Sequence, residues 1–216
     1  MTLTLAQQRL TPMVKQPFSA LLTPAQLAEL SGKNKGSCGH ILETLLDVPH
    51  TNHLTDCPDG EIKTFPVDSH GKPKETAAIR QISGDIDDIL DGQPFFESNV
   101  WRKIQRTLYI SVCKEGKPEN WYIYNVCLKD LNEPQYAAEK NQLHDDWVKM
   151  RADMIAQITA GKDGMLHTVN GEFIQIRTKD SFPYRPIVSR KYGCISNKGR
   201  AVFFKKPYLH GVANIA

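Results

Sequence analysis

The chain has 216 residues, 40% of them hydrophobic and 24% charged, with a formal net charge of +3 and a pI near 8.5. That length can fill one hydrophobic core, and that charge permits a polyanionic partner without demanding one. No stretch has the length of a membrane span, the first ten residues lack the basic start and apolar run of an export signal, and the five widely spaced cysteines contain no Cys-x-x-Cys pair of a structural zinc site, so free thiols in a reducing cytoplasm are expected.

Along the chain, residues 1–22 show weak periodicity and two prolines, Pro12 and Pro17, and read as an extended N-terminal arm. The rest, 23–216, reads as one domain with room for two lobes. Thr23 followed by Pro24 is a helix start, with proline where its missing N–H costs nothing. A basic loop, Lys33-Asn34-Lys35-Gly36, leads to a second helix from Ser37, with Ile41, Leu42, Leu45 and Leu46 on its apolar side. Pro58-Asp59-Gly60 signals a turn, and a strand is predicted over 61–67. Another turn at Gly71-Lys72-Pro73 precedes a strand over 76–82, and 85–91 is an acidic loop or a single helical turn. The β-branched and aromatic runs at 106–112 and 121–126 predict two strands joined through Glu115-Gly116-Lys117-Pro118. The longest helical pattern covers 133–160 and stops at Gly161. Strands over 172–177 and 201–204 follow. The sum is an α/β fold with a central mixed sheet and helices packed on it.

The stretch that carries chemistry is Asp56-Cys57-Pro58-Asp59-Gly60-Glu61-Ile62-Lys63. Side chains alternate along a strand, so Glu61 and Lys63 share a face. A tight turn can bring Asp56 back beside them. Two converging carboxylates can hold a hard divalent cation, and an adjacent ammonium can stabilise developing phosphate charge. Metal-assisted hydrolysis of a phosphodiester needs this set. An Asp, a Glu and a Lys this close are more commonly a solvated hairpin with a surface ion pair. Two features count against that reading: Ile62 and Phe65-Pro66-Val67 suggest a partly buried strand, and Glu43 sits on an otherwise apolar helix, where a carboxylate is costly unless paired. Asp59, with the strand parity of Glu61, rivals Asp56; Pro58-Asp59-Gly60 is better spent on the turn, which favours Asp56.

These residues stand in an order that resembles the MutH family of endonucleases, which holds mismatch-repair nickases and GATC-cutting type II restriction enzymes. The resemblance runs from Lys35 to Tyr208. Its blocks are Lys35-Gly36 with Gly39 and Leu42-Glu43; Glu61 to Ser69 followed by Gly71, Pro73, Glu75 and Thr76; Asn99-Val100-Trp101-Arg102-Lys103 running into Leu108-Tyr109-Ile110; Asp146-Trp147; Gly171 to Arg177; and Phe203-Phe204-Lys205-Lys206. It implies a restriction-endonuclease-like PD-(D/E)xK fold with a DNA cleft. It also implies a catalytic set of Asp56, Glu61 and Lys63, with Lys103 a further lysine near the scissile phosphate. Asp56, Glu61 and the helix-borne Glu43 would hold Mg²⁺, with Mn²⁺ able to substitute, and Lys35, Arg177, Lys205 and Arg200 would contact DNA. The products would be 5′-phosphate and 3′-hydroxyl ends. Two departures stand out: the Asp-to-Glu interval is about two residues short, and Phe203 replaces the family's tyrosine.

Around this set, the basic clusters Lys72/Lys74, Arg102/Lys103/Arg106, Arg185/Arg190/Lys191 and Lys198/Arg200/Lys205/Lys206 could line a cleft for duplex DNA, although any one alone reads as a solvated face. The seven histidines show no ligand spacing, and no Gly-rich phosphate loop is present. The three tryptophans read as core. Three roles compete. The first is a restriction-type enzyme cutting both strands, as a homodimer if its site is palindromic. The second is a strand-nicking repair enzyme that waits for a mismatch-repair activator. The third is a non-catalytic DNA-binding module, against which an intact Asp56, Glu61 and Lys63 argue. The tail after Lys206 looks a poor copy of the family's closing helix and the loop over 180–190 departs from the pattern, which favours the restriction role.

Overall fold

The computed structural model describes residues 1–30, 36–49 and 53–215. In chain order the elements are α1 (Leu3–Leu10), α2 (Phe18–Leu21), α3 (Pro24–Leu30), α4 (Ser37–Leu45), β1 (Glu61–Val67), β2 (Ala77–Gln81), α5 (Ile86–Asp91), α6 (Asn99–Ile104), β3 (Arg106–Cys113) and β4 (Tyr122–Asp130). Then come α7 (Ala137–Ala160), β5 (Val169–Asn170), β6 (Ile174–Thr178), β7 (Ile187–Ser189), β8 (Gly193–Ser196), β9 (Arg200–Phe204) and α8 (Lys206–Ala213). They fall into two compact units: Met1–Ala77, Gln105–Asp130 and Lys206–Ala216 form the first, and Ala78–Ile104 with Leu131–Lys205 the second.

The α/β expectation holds, but among the described residues the strands form three sheets in place of one central sheet: β1-β3-β4, β2-β9-β6-β5 and the hairpin β7-β8. The sheet of the first unit is mixed, as expected, with β1 parallel to β3 and β3 antiparallel to β4. Its register sets Glu61 opposite Thr107 and Lys63 opposite Tyr109, and Thr107 opposite Lys129 in turn. Alternation then sends Ile62, Leu108 and Ile110 to the other face, into one core with Leu3, Leu10, Phe18, Leu30, Ile41 and Leu42 of the four N-terminal helices. α8 lies on the face that carries Glu61 and Lys63; its Tyr208 hydroxyl is 3.3 Å from that of Tyr109.

Two expectations are corrected here. Residues 1–22 are not an extended arm. Leu3, Ala6 and Leu10 recur at i, i+3 and i+7, the spacing of one helix face, and all three are fully buried. Thr2 caps α1 by accepting the Leu5 N–H. The tail after Lys206, which by sequence looks a poor copy of the family's closing helix, folds as the helix α8, with Tyr208, Leu209, Val212 and Ala213 buried. Pro207 stands in its first turn, where proline is tolerated, and the small residues were a poor guide because the apolar ones already share a side.

The second unit is built on α7, whose Leu143, Trp147, Met150, Met154 and Ile158 form its buried stripe. Asp146 is buried on the same helix and accepts the backbone N–H groups of Glu172, Phe173 and Ile174 at 2.6, 2.6 and 3.0 Å. A Cβ at Gly171 would lie 2.3 Å from the Asp146 carboxyl carbon, so only glycine fits there. This carboxylate fixes the entry of β6. Trp101 and Trp147 are core residues, while Trp121 is half-buried. No helix among the described residues is long and apolar enough to cross a membrane.

Because α1 is part of the core, Leu10→Ala should destabilise the protein by about 2–5 kcal/mol, the usual loss for a buried leucine. A shift of the urea midpoint checks this; an unchanged midpoint would restore the arm.

Candidate active site

The turn before β1 is closed by Cys57 N–H donating to the Gly60 carbonyl at 2.9 Å. Gly60 has φ +150° and a Cβ there would sit 2.2 Å from the Arg106 carbonyl oxygen, so the turn can press on β3 only without a side chain. Within it the two aspartates take different work. Asp56 accepts the Ile62 N–H at 3.0 Å, which folds it back beside the start of β1. Asp59 accepts the Leu3 N–H at 3.0 Å and pairs with the Arg106 guanidinium. It ties α1 to β3, and its oxygens are occupied by that tie.

On β1 the Lys63 ammonium donates to Glu61 Oε1 at 3.0 Å. The Glu61 side chain is 3% exposed and that of Lys63 18%. A carboxylate buried to this degree is tolerated only beside a compensating charge, so the pair is held in place by the burial of its own strand. Asp56, Glu61 and Lys63 are thus gathered by one turn and one strand. The Cys57 thiol between them is pushed up to about 11, first by burial and then by the negative charges of Asp59, Asp56 and Glu61. It stays a neutral thiol at physiological pH and offers no nucleophile.

The other expected site residues are scattered. Glu43 lies on α4, which packs against β1; its carboxylate is 3.8 Å from His40 Nδ1 and its side chain 21% exposed. Lys103 is half-buried on α6 in the second unit. Lys35 lies outside the described residues. On β6 the Arg177 guanidinium stacks over Phe203 at 4.3 Å. The aromatic ring that replaces the family's tyrosine therefore serves as a platform for an arginine, a use that parity along paired strands could have suggested. Lys205 donates to the Gly171 carbonyl at 2.8 Å. Arg200 is 9% exposed and donates to Ser196 Oγ, and burial lowers its pKa. Arg106 and Arg190 of the basic clusters are engaged by Asp59 and by Asp87.

Among the described residues no group of three or more His, Cys, Asp or Glu side chains is gathered to hold a metal ion. Sequence reasoning missed the rest of the face. Lys129, 2% exposed, belongs to the cross-strand row of Glu61 and Thr107, and its ammonium lies 5.3 Å from the Tyr208 ring centre. Only the strand register could have placed it there.

A buried acid–lysine pair at the start of a sheet strand, fed by a turn-borne aspartate, defines a carboxylate–lysine site on an α/β scaffold. Comparison with known proteins places it. Residues 49–146 match the family described as DNA mismatch repair enzyme MutH. DNA mismatch repair proteins MutH from two Escherichia coli strains are 28% and 30% identical over 167 residues, covering 75% of this chain and 66% of each relative. The protein of that name from Shigella flexneri is 30% identical over 121 residues, 55% of this chain and 48% of the relative. The chain belongs to the MutH family. Its matched stretch spans just under two thirds of the length of the Escherichia coli relatives.

The two aspartates should separate in stability measurements. Asp59→Ala should cost about 1–3 kcal/mol, as expected for lost hydrogen bonds to a charged group. Asp56→Asn, which keeps an acceptor for Ile62 N–H, should cost well under that. Urea unfolding of both variants decides, and the reverse order would exchange their roles.

Proposed function

We propose that this protein is a metal-dependent endonuclease of the restriction-endonuclease-like PD-(D/E)xK kind that hydrolyses duplex DNA to 5′-phosphate ends, with GATC as the family's candidate site. The observation that carries the reading is the Glu61–Lys63 pair on the buried face of β1, with Asp56 turned back beside it. The family match supports it, since the relatives are named for DNA mismatch repair.

The donor set suits magnesium. Asp56 spends one oxygen on Ile62 N–H, and two carboxylates with a substrate phosphate are the ligation this hard cation commonly takes. Asp56 and Glu61 would hold it, with Glu43 assisting from α4; when bound it supplies Lewis-acid activation of water and neutralisation of phosphate charge. The chain's own groups do the remainder. Lys63 fixes the Glu61 carboxylate and presents the ammonium that faces charge growing on the scissile phosphate. The burial of Glu61 keeps that pair out of bulk water, where its field would be weakened. Lys103, Arg177 and Lys205, all of the second unit, are the cations that the family resemblance would set against DNA phosphates.

Two roles fit this chemistry: a restriction-type cut of both strands, by a homodimer if the site is palindromic, and a single-strand nick made on a repair activator's signal. The closing helix α8 removes the argument from an abbreviated tail for the first, and with the names of the relatives it favours the second as much.

Lys63→Ala and Glu61→Gln should each lower plasmid cleavage by at least ~10²-fold at temperatures where circular dichroism shows the variant folded, Lys63→Ala also lowering the unfolding midpoint because it removes the ammonium beside the buried Glu61 carboxylate, and EDTA should stop the reaction of the unsubstituted protein. Near-normal cutting by either variant, or in EDTA, would dismiss the site. On supercoiled plasmid carrying an unmodified site, linear product from the protein alone marks the restriction role, and accumulation of open circles marks the nickase.

A further inference from the structure

Large apolar side chains are normally covered, yet Phe182 is 86% exposed, with Val188 at 64% and Tyr184 at 48% close behind on the same short segment. Phe182 and Tyr184 meet edge to face, with ring centres 6.1 Å apart and planes at 83°. The segment carrying them is firmly seated. Asp180 accepts the backbone N–H groups of Ser181, Arg185 and Gly199 at 2.9, 2.8 and 2.6 Å. At its base Gln81 donates to the Lys179 carbonyl, and Lys179 N–H to that of Gly199. One carboxylate thus cinches both ends of the loop, and the aromatic tip projects from a preorganised base. Preorganisation of this kind cuts the entropic cost of binding.

The charge around the tip selects a partner. Between Gly164 and Ala216 the acids are Glu172 and Asp180, against nine lysines and arginines. Asp180 is engaged by the loop's own backbone. Lys179, Arg185 and Lys198 are exposed around the tip, and the Lys198 ammonium lies 4.3 Å from the Tyr184 ring centre. A rigid aromatic wedge ringed by cations suits a polyanion with stacked apolar faces inside it.

We propose that the loop over 179–185 is a DNA wedge: Phe182 enters between adjacent base pairs of the duplex, Tyr184 buttresses its edge, and Lys179, Arg185 and Lys198 neutralise the flanking phosphates. Apolar side chains inserted in this way partly unstack a base step and kink the helix, and the cost is offset by the added contacts. The inference rests on the reading of this protein as a DNA endonuclease and names a residue that reads deformability of the bound sequence. Position 182 would then tune which base steps are tolerated where the loop binds, because flexible pyrimidine–purine steps open most easily.

The test uses the full chain carrying Glu61→Gln, so that DNA stays intact, and a linear plasmid duplex as probe. Adding Phe182→Ala should weaken duplex binding about tenfold, the scale of one lost aromatic–base stack, with an unchanged unfolding midpoint because the side chain is exposed. Adding Phe182→Trp instead should restore affinity, and its indole emission should be quenched on binding as the ring stacks on bases. Arg185→Gln should flatten the salt dependence of binding by about one counterion. Tight duplex binding unaffected by Phe182→Ala, with an unquenched indole, would overturn the wedge and leave the tip to a protein partner, while plasmid cleavage by the unsubstituted chain would still stand. No duplex binding and no cleavage by the unsubstituted chain would overturn the endonuclease reading and the wedge with it.

Discussion

Parallel pairing of β1 with β3 is the constraint from which the first unit is built. It sets Glu61 beside Thr107 and Lys63 beside Tyr109, and it sends Ile62 to the opposite face, into the core made by the N-terminal helices. Strand alternation has a period of two, so a slip of one residue would drive Glu61 and Lys63 into that core and expose Ile62 to the site. The apolar face therefore guards the register, and the register guards the chemistry. Gly60 and Asp59 pin its start. The glycine lets the turn press on the Arg106 carbonyl, and the aspartate binds Arg106 and the first turn of α1.

The acidic residues of this protein divide by what their oxygens face. Asp59, Asp146 and Asp180 each accept backbone N–H groups from segments distant in sequence, and act as clasps. Asp146 spans three consecutive N–H groups at the entry to β6, and Asp180 closes a loop on Gly199. Glu61 instead faces an ammonium on its own strand. Clasping backbone N–H groups satisfies the carboxylates of the first kind, whereas Glu61 Oε2 is a buried oxygen without a hydrogen bond among the described residues. The same division applies to the cations: Arg106 and Arg190 complete ion pairs with Asp59 and Asp87, and Arg200 sits beneath the surface.

The family relation and the geometry bear on different levels. Membership rests on matched stretches that cover three quarters of the chain. α8 shows how weak inspection of a tail can be: by sequence it looks a poor copy of a closing helix, yet Tyr208 packs on Tyr109 and holds the helix to the sheet. Phe203 shows the converse, because an aromatic that loses a hydroxyl gains an arginine stacked on its face.

By itself the sequence determined the α/β class, the bounds of β1, the long helix α7 and the shared face of Glu61 and Lys63. These follow from local periodicity, and strand and helix spacing are properties of the chain alone. It determined the family as well, through motifs in order. It did not determine that residues 3–10 form a helix in the core, since a short amphipathic helix is marginal until tertiary packing stabilises it. It could not separate Asp56 from Asp59, whose difference lies in Leu3 and Arg106, partners far away along the chain. Nor could it place Lys129 in the row of Glu61, split the expected single sheet into three, or show Phe182 standing in solvent on a cinched loop. Each of these depends on which distant segments meet, and strand pairing, burial and hydrogen bonds between remote residues are decided only when the chain has folded.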